Sequence, residues 1–223
     1  MFDVNLISYS RPADGSELSD DLLQLVAYCA RVSNPSNQNN EATSEKLVKY
    51  LIKHKHWSPL EMVNVCLEIE TTRDIARQIL RHRSFTFQEF SQRYADPLQD
   101  LEMVTREARL QDQSNRQNSV TIDQNDPEQR RINEDFRMKQ KTLIRSAEQL
   151  YNWAIGNGIA KEQARAVLPE GLTKSRMYVN GTLRSWLHYI DLRSSNGTQL
   201  EHIHIAKACA EAISKIFPME SVL

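Results

Sequence analysis

Residues Val63-Asn64-Val65-Cys66-Leu67-Glu68-Ile69-Glu70 alternate apolar and polar side chains, and the following Thr71-Thr72-Arg73-Asp74-Ile75-Ala76-Arg77-Gln78-Ile79-Leu80-Arg81 breaks that alternation. A period of two puts one face of an extended chain in a core and the other in water, so the first half predicts a strand. The second half predicts a helix: the Thr/Asp cluster supplies capping oxygens, and Ile75, Ile79 and Leu80 give it an apolar side. On that helix Gln78 and Arg81 are three positions apart and Arg77 and Arg81 four, so they neighbour one another at its C-terminal end.

Outward from this stretch, Val4, Leu6 and Ser8 alternate with Asn5, Ile7 and Tyr9 as a first strand. Ser19-Asp20-Asp21 starts a helix with Leu22, Leu25, Val26 and Cys29 on one face, acids suiting the N-terminal dipole. Residues 34–40 read as a loop on turn chemistry, and Leu47, Val48, Leu51 and Ile52 mark a helix ending near His54. Residues 105–135 are polar and predict a long loop or excursion within one domain, since no independent core is visible there. Phe136, Leu143, Ile144, Ala147, Leu150 and Tyr151 line a long helix that Gly156-Asn157-Gly158 stops. Further helices are expected from Glu162 to Leu168, from about Thr182 to Asp191, and from Leu200 to Phe217. The expected fold is α+β, a small, mostly antiparallel sheet with several long helices in a single domain spanning 1–223.

A chain of 223 residues suffices for one sizeable core. A net charge of −1 leaves no global field to recruit a nucleic-acid backbone, though a local basic pocket still suits a nucleotide-sized ligand. Cys29, Cys66 and Cys209 each have apolar neighbours and form no CxxC pair, which predicts core packing in a reducing compartment. No signal-peptide pattern and no membrane span are read, so a cytoplasmic protein is expected. Glycine-rich dinucleotide and phosphate loops are absent, as is a serine elbow.

The segment Arg81-His82-Arg83-Ser84-Phe85-Thr86-Phe87-Gln88-Glu89-Phe90-Ser91-Gln92-Arg93-Tyr94 carries the densest chemistry. Guanidinium forks at Arg81, Arg83 and Arg93 bind phosphate bidentately, Ser91 donates, and Glu89 accepts from a hydroxyl or a base N–H. A charged surface near a helix end reads equally well. Arg165, Arg184 and Arg193 sit in otherwise apolar stretches, where each needs a salt-bridge partner, such as Asp191 or Glu201, or an anionic ligand. The pairs His54/His56 and His202/His204 lack accompanying ligands at metal-site spacing, so no metal is expected.

Arg81-His82-Arg83 followed after seven residues by Ser91 resembles the signature of flavin-dependent thymidylate synthases. The resemblance extends to Ala30-Arg31-Val32-Ser33, to His54-Lys55-His56-Trp57-Ser58-Pro59-Leu60-Glu61 and to Ala164–Pro169. It continues through Asn180–Trp186 and Leu192-Arg193 with Gln199-Leu200-Glu201. Thr86 and Gln88 stand where the family more often has Ser and Asn. The resemblance implies a homotetramer with active sites shared between subunits. It implies an enzyme that makes dTMP from dUMP with methylenetetrahydrofolate as carbon donor and NADPH reducing bound FAD. It implies FAD contacts from Ser58, Arg81, His82, Arg83, Glu89, Thr182, Leu183, Arg184 and His188. It implies dUMP contacts from Gln78, Arg81, Glu89, Phe90, Ser91, Gln92, Arg93 and Arg165. Arg193 matches the catalytic arginine that promotes ionisation at uracil N3, a case of stabilising charge that grows during reaction.

Overall fold

A computed structural model describes residues 2–16 and 18–218. In chain order it contains β1 (Asp3–Tyr9), α1 (Leu22–Ala30), α2 (Ser44–Lys53), β2 (Asn64–Thr72), α3 (Arg73–Ile79), β3 (Phe85–Glu89), α4 (Pro97–Asp100), β4 (Arg109–Gln111) and β5 (Ser119–Thr121). Then follow α5 (Pro127–Gly156), α6 (Lys161–Ala164), β6 (Lys174–Thr182), α7 (Leu183–Ser194) and α8 (Leu200–Ser214). The α+β class is borne out. The main sheet is antiparallel throughout, in the order β1-β2-β6-β3, and β4 and β5 form a separate hairpin.

The alternation in β2 does what its pattern requires. Val63, Val65, Leu67 and Ile69 are fully buried, and the helices α1, α7 and α8 cover that face. The opposite face carries Glu68 and Glu70, with Arg176 of β6 paired to Glu70 across the sheet. In β1 the expected alternation holds to Leu6. A bulge before Ser8 then shifts the register, so Tyr9 packs on the core in place of Ser8.

To the main sheet the structure adds two strands that the apolar pattern did not mark, β3 and β6. They pair in register, with Phe85 opposite Gly181 and Glu89 opposite Met177. A Cβ on Gly181 would lie 2.3 Å from Phe85 Cδ1, so only glycine lets the Phe85 ring fold across the strand there. Phe85 in turn packs on Trp186 at 4.5 Å between ring centroids, and the Trp186 indole donates to the Val65 carbonyl at 2.9 Å.

Three element limits differ from expectation. Thr71 and Thr72 belong to β2, and α3 ends at Ile79, so Arg81 lies in the turn beyond the helix that carries Gln78. The long helix starts at Pro127, where Asp126 caps the N–H groups of Glu128 and Gln129. The 105–135 stretch therefore comprises the β4–β5 hairpin and the first turns of α5. That helix also splits its apolar residues: Ala147, Tyr151 and Ala154 face inward, while Phe136, Leu143 and Leu150 are 44%, 52% and 47% exposed.

Candidate active site

Site chemistry gathers where α3 leads into β3 and where β6 leads into α7. The turn after α3 carries His82, whose ring lies 5.0 Å from Tyr189 of α7 and 6.4 Å from His202 of α8. Arg193, near the end of α7, donates from Nε to His82 Nε2 at 2.9 Å. Accepting there leaves the proton of His82 on Nδ1 and the ring neutral. His82 is pushed down to about 4, first by burial and then by the Arg193 and Arg81 charges. Arg193 is half-buried, and no carboxylate among the described residues lies within ion-pairing distance of it. The two partners open to it from sequence are otherwise engaged or apart: Glu201 binds Arg109 through two hydrogen bonds of 2.7 and 2.9 Å, and Asp191 makes no ion pair among the described residues.

Gln78 lies beside this pair. Its amide nitrogen donates to Gln199 Oε1 at 2.8 Å, and its oxygen faces His202 Nδ1 at 3.1 Å. Gln199 donates to Glu201 at 3.0 Å. Burial alone would raise the Glu201 carboxyl, but its hydrogen bonds, chiefly from Arg109, outweigh this and hold it down at about 2.

A second group sits past β3. An open pocket of about 320 Å³ is lined by Arg73, Arg77, Gln92, Glu162, Arg165 and Glu170, among others. Among the described residues, Gln92 Nε2 is buried there without a hydrogen-bond partner and Arg165 has no ion pair. Arg93 borders the group through Glu162 at 3.4 Å. Glu89, at the end of β3, accepts from Ser175 at 2.8 Å and lies 3.6 Å from Arg73. Phe90 and Ser91 continue into the turn, with the Phe90 N–H spent on the Arg176 carbonyl. A larger cavity of about 380 Å³ between the hairpin, α5 and α8 contains none of the expected ligand residues.

The third group lies at the start of α7. Thr182 caps that helix by accepting from the Ser185 N–H. Arg184 pairs with Glu61 at 3.1 Å, the salt-bridge account of an apolar-stretch arginine, while its Nε is buried without a partner among the described residues. Ser58 opens the turn that carries Glu61, and His188 meets Trp57 edge-on at 4.4 Å. Leu183 differs: its side chain is in the core and its N–H donates to Val63. Arg81 and Arg83 are exposed, and their guanidinium groups have no ion pair among the described residues.

Three residues central to this geometry had no role in the sequence reading: Tyr189, His202 and Arg109. Only the His-x-His spacing hinted at one of them. On a helix, positions two apart diverge, and His202 is buried while His204 touches Phe2. The cysteines are free; Cys209 is buried, Cys29 and Cys66 half-buried, and burial raises all three thiols away from reactivity.

Residues 17–219 match the family described as thymidylate synthase complementing protein, and the chain belongs to that family. The resemblance carried by the motifs is thus borne out. The chain is 47% identical over 217 residues to a probable flavin-dependent thymidylate synthase of Paramecium bursaria Chlorella virus 1, covering 96% of this chain and 95% of the relative. It is 46% identical over 219 residues to the flavin-dependent thymidylate synthase of Synechocystis sp., with 97% and 96% covered. The UMP/dUMP methylase PolB of Streptomyces cacaoi, solved with 5-Br dUMP, shares the fold at a TM-score of 0.77 and 22% identity, over 99% of this chain and 93% of that one.

Proposed function

We propose that the protein is a flavin-dependent thymidylate synthase, which converts dUMP, methylenetetrahydrofolate and NADPH to dTMP, tetrahydrofolate and NADP. The observation that carries the reading is Arg193: a half-buried guanidinium held by a neutral imidazole and left without a carboxylate among the described residues. An unneutralised cation in a half-buried site is costly unless an anion arrives. A pyrimidine losing its N3 proton is such an anion, and Arg193 stabilises it as the charge grows.

The donor set fits a flavin dinucleotide. Unpaired guanidiniums at Arg81 and Arg83 suit its diphosphate, and the orphaned Arg184 Nε offers a further donor beside Ser58, Thr182 and His188. His82 and Glu89 complete the set from β3 and its preceding turn, and Leu183 serves it as packing. Bound FAD supplies the hydride that completes the methyl group. The nucleotide lies against Gln78, Arg81, Glu89 and Phe90, with its phosphate at Ser91, Gln92, Arg93 and Arg165; the buried, partnerless Gln92 amide supports that end. No protein nucleophile is required, in keeping with three thiols raised by burial.

We place the protein in the cytoplasm as a homotetramer with shared sites. Exposed Phe136, Leu143 and Leu150 recur every seven residues on α5, a stripe that suits a second copy of this chain. No helix of the described residues is long and apolar enough to cross a membrane.

The purified protein should show flavin absorption bands and release tritium from C5-labelled dUMP when given NADPH and methylenetetrahydrofolate. Arg193→Ala should cut turnover by about 10²–10³ with FAD still bound. Neither flavin bands nor tritium release would sink the proposal. FAD loss in Arg193→Ala with dUMP binding intact would reverse the role given to Arg193.

A further inference from the structure

The hydrogen bonds around Gln78 have only one self-consistent direction. Gln78 Nε2 donates to Gln199 Oε1 at 2.8 Å, and Gln199 can accept there because its own nitrogen donates to Glu201 at 3.0 Å. Glu201 is a carboxylate gripped by both arms of Arg109 and has only acceptors to offer, so the Gln199 amide cannot reverse. At the other end, Gln78 Oε1 must accept from His202 Nδ1, which leaves His202 Nε2 to accept from the Tyr189 hydroxyl at 3.1 Å. His202 has no exposed surface, and Tyr189 has 1%, so water cannot substitute for either partner. Turning the Gln78 amide over would set oxygen against oxygen at Gln199 and would force His202 to move its proton to Nε2, with Tyr189 then accepting. The lock starts at Arg109 in the β4–β5 hairpin, a segment remote in sequence from Gln78, and ends at Tyr189 in α7.

We propose that His202 and Gln199, the latter anchored through Glu201 to Arg109 of the hairpin, are positioning residues that hold the Gln78 amide in one direction and so make the pocket select a uracil edge over a cytosine edge. The inference rests on the reading of Gln78 as a dUMP contact. Uracil presents an acceptor at C4 and a donor at N3, whereas cytosine presents a donor and an acceptor. A glutamine free to rotate matches either base by turning over. One held at both ends offers a single pattern, and the wrong base leaves a polar group unpaired, which is where most discrimination originates. The hairpin thereby acquires a part in substrate choice without touching the substrate.

The test uses the FAD-loaded protein and measures dissociation constants for dUMP and dCMP by calorimetry. Gln199→Leu and His202→Phe should each narrow the preference for dUMP by about tenfold, the worth of one hydrogen bond. His202→Asn, whose amide N–H mimics Nδ1, should keep the wild-type preference. Arg109→Met acts from the far end of the lock and should narrow the ratio as well, which keeps the test open should a nearer variant fail to fold. Equal losses for both nucleotides, with the ratio unmoved in Gln199→Leu and Arg109→Met, would overturn the inference and leave dUMP as substrate. A wild-type protein that binds no dUMP would instead overturn the reading of the site, and the inference with it.

Discussion

Lowering the pH from 7 to 5 should destabilise this protein through His202, and the size of the effect follows from its burial. His202 is pushed down from 6.5 to about 3, first by burial, then by the Arg193 and His82 charges. In the unfolded chain it takes up a proton near its ordinary value, while the folded chain resists. Its folded-state value is depressed, so its contribution is fully present above pH 6.5 and is lost as pH falls from there towards 3. The unfolded state binds more protons across that window, which gives a slope of about 1.4 kcal/mol per pH unit and a loss of about 2 kcal/mol between pH 7 and 5. For a chain of this size that is about 4–8 °C in Tm.

Glu201 blurs the measurement little: held at about 2, it stays ionised in the folded chain, and only the first protonation of its unfolded counterpart near pH 5 adds slope, of the same sign. His82, half-buried and pushed down to about 4, adds a loss of the same sign and, over this window, of similar size before screening by solvent is allowed for. Thermal unfolding of wild type and His202→Asn at both pH values, at matched FAD concentration, separates the two histidines. The variant should be less stable at pH 7, having lost the acceptor for Tyr189, yet should fall less between pH 7 and 5 by about 4–8 °C. Equal falls in both proteins would mean that His202 takes up its proton as readily folded as unfolded, and the Tyr189 hydroxyl would then have no acceptor at Nε2.

Gly181→Ala should cost about 3 kcal/mol, the upper end for overpacking, because its Cβ would meet the Phe85 ring at 2.3 Å; a urea midpoint well below wild type checks this. Lys55→Gly should raise stability by about 1 kcal/mol, since Lys55 sits at φ 58 in the turn that closes α2, where its N–H bonds to Ile52 and that of His56 to Leu51; an unchanged or lower Tm would contradict it. Arg31→Lys should loosen residues 34–43, because buried Arg31 forks to the Asn40 carbonyl at 2.7 Å, to Ser44 at 3.2 Å and to Thr43 at 2.9 Å. With a fork lost that is worth about 1.5–3 kcal/mol, limited proteolysis should cut that loop faster than in wild type.

The parts of the fold that were legible in sequence are those whose side chains carry their own burial. The stretch from Val63 into β2 alternates four fully buried aliphatics with polar residues, and the core faces of α7 and α8 are written in Trp186, Leu187, Ala206 and Ile213. β6 was not legible because its inward positions are Ser175, Met177, Val179 and Gly181, and two of those are covered by neighbours rather than filling space themselves. Ser175 is sealed by its bond to Glu89, and Gly181 by the Phe85 ring. β3 was masked by the same economy, since Phe85 and Phe87 looked like parts of an anion pocket rather than a strand packed on β6. The start of α5 escaped for the opposite reason. Its first turns are solvent-facing, so capping by Asp126 and Pro127 marks them where apolar periodicity cannot.

The residue types at the site were legible, but the allocation of charge was not. Three arginines in apolar stretches and several carboxylates admit many pairings, and only the packed chain decides among them. Arg184 takes Glu61, and Arg109, arriving from the hairpin, takes Glu201, which was the natural partner for Arg193. What remains beside Arg193 is His82, which accepts its Nε and is held neutral. Had His82 been replaced by a carboxylate, Arg193 would be a satisfied ion pair with little field left for a ligand. Because imidazole accepts a hydrogen bond without bringing a negative charge, it fixes the guanidinium in place and leaves its full charge directed outward. The hairpin, by sequestering Glu201, therefore serves both halves of the site: it fixes the direction of Gln78 and keeps Arg193 unneutralised.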